Sequence, residues 1–168
     1  MARQSTRRVE LCLRSARELL EHYHSGHDKV RLPVNIEHIA HWLGYQVIRL
    51  FTVQDEFSGL VSVRQKLIGI NGRHHRHRQR FSVAHELAHI LLKHPPESRC
   101  ITSQISLFNG EADICAAELL MPSAQVLAHG GRSLDPAALA VVFDVSEVAA
   151  LWKLKEMGLS RAGAKVVG

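Results

Sequence analysis

The chain has 168 residues, 46% of them hydrophobic and only 5% aromatic, with a net charge of +5. That suits one mostly aliphatic core and excludes a disordered composition. No run of about 18 apolar residues is present, so no membrane-spanning helix is expected. Residues 1–8 lack the apolar core of a secretion signal, and three widely spaced cysteines (Cys12, Cys100 and Cys115) suggest no disulfide framework. The expectation is a cytoplasmic protein of one domain over residues 1–168, with a helical C-terminal extension from about residue 134.

Residues 9–24 read as an amphipathic helix: Val9, Cys12, Leu13, Ala16, Leu19, Leu20 and Tyr23 recur at three- and four-residue steps. After Pro33 a short helix fits residues 36–43, with Asn35 as its N-cap and Gly44 just past its end. Short β-branched runs follow at 46–50, 57–63 and 66–71, and Arg64-Gln65 can turn the last two into a hairpin. Residues 72–80 form a polar, basic stretch, read as a loop. Residues 81–94 are strongly helical until Pro95-Pro96. A connecting loop is expected over 97–109 and a helix over 111–121, stopped by Pro122. Further on, Asp135-Pro136 opens one helix and Ser146 caps another that ends near Gly158. Helices, a small sheet, then helices again give the class α+β.

The chemistry is concentrated in His85-Glu86-Leu87-Ala88-His89, an H-E-x-x-H. Residues four apart on a helix share a face, so the two imidazoles can hold one Zn²⁺ at about 2.0–2.1 Å. Glu86 lies about 100° round the axis. There it can flank the ion and act as base toward water whose pKa the metal lowers toward about 7. The flanking Phe81, Val83, Ala84, Leu87, Ala88, Ile90, Leu91 and Leu92 predict a buried helix. Two histidines and a glutamate there need partners, because unpaired buried polar groups are costly. A catalytic zinc also takes a third protein ligand, and Asn109, Glu111 and Asp113 are the candidates.

Residues 80–92 and 111–122, the latter Glu-Ala-Asp-Ile-Cys-Ala-Ala-Glu-Leu-Leu-Met-Pro, together resemble the ImmA/IrrE family of metallo-endopeptidases. Weaker similarities at 36–44, Ser58-Gly59, 68–71 and 139–146 extend the resemblance over about residues 9–158. It implies a compact zincin-like domain, with a small, mostly antiparallel sheet packed on the H-E-x-x-H helix. It also implies His85 and His89 as zinc ligands, Glu86 as the catalytic base and a third ligand from the following helix. Family members commonly carry Glu four residues before the Asn or Asp of the second motif. Here Asp113 holds that Asn/Asp place and Asn109 stands four before it. Glu111 is the preferred ligand for its longer reach, provided the helix begins irregularly at Gly110; Asp113 could bind directly or hydrogen-bond a ligand histidine. The resemblance further implies a protein substrate, a helix-turn-helix repressor of mobile-element, phage or stress genes. An extended peptide would lie along a sheet edge in the 57–71 hairpin.

Without a carboxylate at position 109, the rival reading is a catalytically silent regulator that binds a repressor or antitoxin-like partner. The basic stretch 73–80 has no interleaved aromatic residues for base stacking. Glu147 begins the helix that would read a DNA groove in the 139–152 run. Both features argue against direct nucleic-acid binding. Cys115 reads as a buried structural thiol, Trp42 and Trp152 as core. His22, His24, His27, His38, His41, His94 and His129 read as surface residues.

Overall fold

The apolar steps near the N-terminus become the buried face of α1 (Ala2–His24), where Cys12, Ala16, Leu19 and Leu20 are buried. The computed structural model describes residues 2–25, 31–96, 99–130 and 134–159, so His27 lies outside it. Beyond α1 the order is α2 (Ile36–Trp42), β1 (Gln46–Leu50), β2 (Gly59–Ser62), β3 (Leu67–Asn71) and α3 (Arg76–Leu91). Then follow α4 (Thr102–Leu120), α5 (Ser123–Gly130), α6 (Pro136–Phe143) and α7 (Glu147–Glu156). The class is α+β, as expected. Three of the expected caps are made: Asn35 accepts from the His38 N–H, Asp135 from Ala137 and Ala138, and Ser146 from Ala149.

The sheet is mixed rather than mostly antiparallel. Its order is β1-β3-β2; β3 runs parallel to β1 (Val47 opposite Ile68) and antiparallel to β2 (Val61 opposite Ile68). The β2–β3 hairpin forms as read, but β3 inserts between β2 and β1. That makes β3 the central strand, with Ile68, Gly69, Ile70 and Asn71 all buried. It leaves β2 an edge strand.

The core lies where α3 packs on α4, α4 on α1, and β3 on α3. Ala84 and Ala88 of α3 and Ala112 and Ala116 of α4 are fully buried. Such small side chains let the two helices approach closely, while Leu87, Leu119, Ile68 and Ile70 fill the space around them.

Three differences from the sequence reading shape the site. First, α3 begins at Arg76, inside the expected loop. Gln79 donates to the Gly72 and His74 carbonyls, Arg76 pairs with Asp144, and Arg80 donates to the carbonyls of Asp144 and Val34. Second, α3 ends at Leu91. Lys93 takes a left-handed turn (φ 55°), so the His94 N–H bonds back to the His89 carbonyl and the Lys93 N–H to that of Ile90. This is a Schellman-type reversal with lysine where glycine is usual. Third, α4 begins at Thr102 and runs unbroken through Gly110, its start tied by the Ile101 N–H donating to Gln104. Trp42 and Trp152 are not core residues; they are 45% and 65% exposed. Among the described residues no helix is long and apolar enough to cross a membrane.

Candidate metal centre

His85 and His89 sit one turn apart on α3, and their Nε2 atoms converge to 3.0 Å. Each ring is held from its other nitrogen. His85 Nδ1 lies 2.8 Å from Asp113 Oδ1. His89 Nδ1 lies 3.0 Å from His94 Nδ1, and His94 Nε2 lies 3.0 Å from Glu111 Oε2. Asn109 lies beside both imidazoles, as a polar neighbour that favours their charged forms. Regular α4 geometry explains this: Asn109 and Asp113 are four apart and share the face turned to α3.

Glu111 is not brought to the imidazole pair. Two residues beyond Asn109, it points about 200° away around a helix that has no break at Gly110. Its carboxylate takes Arg8 of α1 at 2.5 Å and His94 at 3.0 Å. The irregular start on which its choice as ligand depended does not occur. Asp113 stands behind His85, on the ring nitrogen away from the pair. His94, read from sequence as a surface residue, is 5% exposed at its side chain and stacks on Phe108 with ring centroids 4.6 Å apart.

Electrostatics separates the two rings. Burial works against charge on His85, but the Asp113 hydrogen bond and charge, with Glu86 nearby, outweigh it and hold its pKa above the usual value. For His89, burial and then the neighbouring His85 and His94 push the pKa down to about 4. Burial also keeps His94 below its ordinary value, against the pull of Glu111.

Glu86 is 8% exposed and lies against β2. A β-carbon on Gly59 would stand 2.9 Å from Glu86 Oε1 and 3.3 Å from its Cγ. The missing side chain at Gly59 is therefore what lets the carboxylate rest on the edge strand. On the other flank, a groove of about 930 Å³ opens beside Phe81 and Asp113, lined also by Ile114, Val148 and Trp152. Phe81 in turn faces His85 at 6.3 Å between ring centroids.

The pair fits a metal. Two nitrogens at about 2.0–2.1 Å from a tetrahedral zinc stand about 3.3 Å apart, close to the 3.0 Å between the two Nε2 atoms. The third corner is less usual. Among the described residues, no group of three or more His, Cys, Asp or Glu side chains is placed to hold a metal ion. The side chain that meets both imidazoles is the neutral amide of Asn109. Other charged and nucleophilic groups lie elsewhere. Glu118 is fully buried against Lys153, Arg17 and Ser123. The cations of the basic stretch are engaged: Arg73 on Asp55, Arg76 and Arg80 on Asp144, and Arg78 on Ser58. Cys12 and Cys115 are fully buried, and burial pushes their thiols up to about 11 and about 12.

The family model of the IrrE N-terminal-like domain, Peptidase_M78, matches residues 43–155. The chain belongs to this family. The match runs from before β1 into the last turn of α7, and it brings a metallopeptidase type of fold with it. No curated protein matches the chain. Among solved structures, a Mycobacterium tuberculosis transcriptional regulator is similar, with a TM-score of 0.65 at 14% identity over 87% of this chain. At that identity the likeness is one of fold. The chain spans about half the length of that regulator (47%).

His85, Glu86 and His89 were legible as a motif. The seat of Glu86 on Gly59 and the contact of His94 with His89 were not. The reversal that folds His94 onto His89 has Lys93 in its left-handed position, so sequence carried no glycine to announce it.

Proposed function

We propose that this protein is a zinc-dependent endopeptidase of the cytoplasm that cleaves a helix-turn-helix transcriptional repressor, relieving repression of mobile-element, phage or stress genes. The observation that carries the reading is the convergence of His85 Nε2 and His89 Nε2 at 3.0 Å, on the helix that also seats Glu86 against an edge strand. In this reading His85 and His89 hold the metal, and the Asn109 amide oxygen takes the place that Glu111 does not reach. A zinc ion bound there supplies Lewis acidity and lowers the pKa of its water toward about 7. Glu86 accepts the proton of the attacking water and returns it to the leaving amine. Its seat on Gly59 keeps it beside the free edge of β2, where an extended polypeptide would add as a further strand. The groove beside Phe81 and Trp152 suits apolar side chains of that polypeptide.

Asn109 favours a second reading. A neutral amide is a weaker metal donor than a carboxylate, so the chain could bind a repressor without cutting it. The two are separated by measuring zinc per chain on protein purified without chelator, then incubating it with purified helix-turn-helix repressors from the same genome. Near one zinc, lost in His85→Ala, and repressor fragments that disappear with Glu86→Gln while zinc stays bound support the peptidase. Cleavage retained by Glu86→Gln refutes the assigned mechanism. Repressor binding without cleavage by zinc-loaded protein selects the regulator.

A further inference from the structure

We infer that the apolar groove beside the metal pair is a docking site for an acidic amphipathic helix of the protein substrate. The inference deepens the proposed function and rests on it. The groove, about 930 Å³, is lined by Phe81 from α3, Ile114 and Ala117 from α4, and Val148 and Trp152 from α7. Val148 and Trp152 are 57% and 65% exposed and stand one turn apart on one face of α7. Adjoining exposed apolar groups of this size mark an interaction surface. The buried pair of Lys153 and Glu118, at 2.6 Å, anchors α7 beside α4, so the groove is preformed.

The walls say what form the occupant takes. They are helices, whose backbone groups are spent on their own hydrogen bonds, and the Ser146 side chain is spent on capping α7. An extended segment would find no strand to pair with there, and burying its free N–H and C=O groups is costly. A helix satisfies its own backbone and offers only side chains. From Asp113 to Met121 the groove follows α4 for about 12 Å, enough for apolar anchors at i, i+4 and i+7. The rim sets the charge. Arg78 donates to the Ser58 hydroxyl, and Lys155 lies 5.0 Å from the centre of the Trp152 ring; neither has a carboxylate partner among the described residues. The two acids that line the groove are taken, Asp113 by His85 at 2.8 Å and Glu156 by Lys153 at 3.6 Å. Acidic residues beside the apolar anchors complement this rim. Residues 160–168 contain Arg161 and Lys165 and no acid, and a second copy brings the same charge of +5, so both complement it poorly. Asp113 and Phe81, which line the groove, also flank His85. A helix seated there therefore runs up to the metal pair, while the stretch to be cut lies extended along β2.

The test uses the full chain as Glu86→Gln, so that a bound substrate stays whole. A phage-displayed library of random peptides of about 16 residues, some four helical turns, is selected against it, and affinities of the enriched peptides are measured by fluorescence anisotropy. The docking site predicts large apolar residues at helical spacing with acidic residues beside them, and helix in the bound peptide by circular dichroism. Trp152→Ala and Val148→Glu should each weaken binding about 10–30-fold, while Trp42→Ala, at an exposed tryptophan outside the groove, should leave it unchanged. Arg78→Gln and Lys155→Gln should weaken it and flatten its salt dependence. These positions are exposed, so the substitutions spare the core. Basic or aperiodic peptides, no enrichment, or affinity indifferent to Trp152→Ala and Val148→Glu overturns the inference. So does a dimer in sedimentation that Trp152→Ala disperses, or markedly tighter peptide binding once residues 160–168 are removed, since each names another occupant. Groove-dependent binding by protein that holds no zinc and cuts nothing keeps the docking site and refutes the peptidase reading. Zinc-dependent repressor cleavage that Trp152→Ala and Val148→Glu leave untouched does the reverse.

Discussion

Replacing Lys153 with methionine would strip the main counter-charge from Glu118. The Lys153 Nζ is 2.6 Å from Glu118 Oε2, and each side chain is 1% exposed. Removing one partner of a buried pair costs about 3–5 kcal/mol, because the other charge stays buried without compensation. Glu118 would keep Arg17 at 2.8 Å and the Ser123 hydroxyl at 2.6 Å. The lower end, about 3 kcal/mol, is therefore expected. In a domain of this size that corresponds to a fall in Tm of about 6–12 °C. Glu118→Gln in the Lys153→Met background should recover part of the loss. It removes the stranded charge and keeps an acceptor for the Ser123 N–H, which lies 3.1 Å away in the wild type. The same cluster predicts a pH dependence. Burial alone would raise the pKa of Glu118, but Lys153, Ser123 and Arg17 outweigh it and hold it below the ordinary value. The unfolded chain then binds more protons than the native one as the pH falls. The stabilisation is present above the unfolded pKa of about 4.3 and is lost on acidification through the lower folded pKa. Urea unfolding at neutral pH and across pH 2–6, for wild type and the three variants, measures all of this. A Lys153→Met variant within about 1 kcal/mol of wild type, or a double variant as costly as the sum of the two single variants, would refute the reasoning.

Gly59→Ala should test the seat of Glu86. The new β-carbon would stand 2.9 Å from Oε1, so the carboxylate must shift. Displacement of about 1 Å at a reacting group can cost about 10²-fold in rate; zinc content should be unchanged, and an unaltered cleavage rate would dissociate Gly59 from Glu86. The buried thiols Cys12 and Cys115, raised to about 11 and about 12, should resist iodoacetamide in the native protein at pH 8. Cys100, only partly buried, should be alkylated alone; mass spectrometry showing prompt modification of Cys115 would contradict the packing of α4 on α1 and α3. Glu86→Gln should keep zinc and lower cleavage by about 10²–10⁴-fold, read by fragment accumulation from the repressor.

Periodicity, caps and breakers made much of this protein legible from its residues. The apolar steps of α1, the caps Asn35, Asp135 and Ser146, the hairpin strands and the buried character of the H-E-x-x-H helix all follow from local chemistry. So does the pairing of His85 with His89, because a helix repeats its faces within one chain segment. What lay across the fold was not legible. β3 between β1 and β2 is a choice of strand order, decided by long-range burial of Ile68 and Ile70. The early starts of α3 and α4 depend on partners such as Asp144 and on side-chain bonds that no propensity records. The exposure of Trp42 and Trp152 was likewise set by packing. At the site, sequence supplied the two imidazoles and the glutamate. Tertiary structure decided what surrounds them, because the face of α4 turned to α3 depends on helix continuity through Gly110. That continuity put Asn109 and Asp113 against the rings and carried Glu111 round to Arg8 and His94.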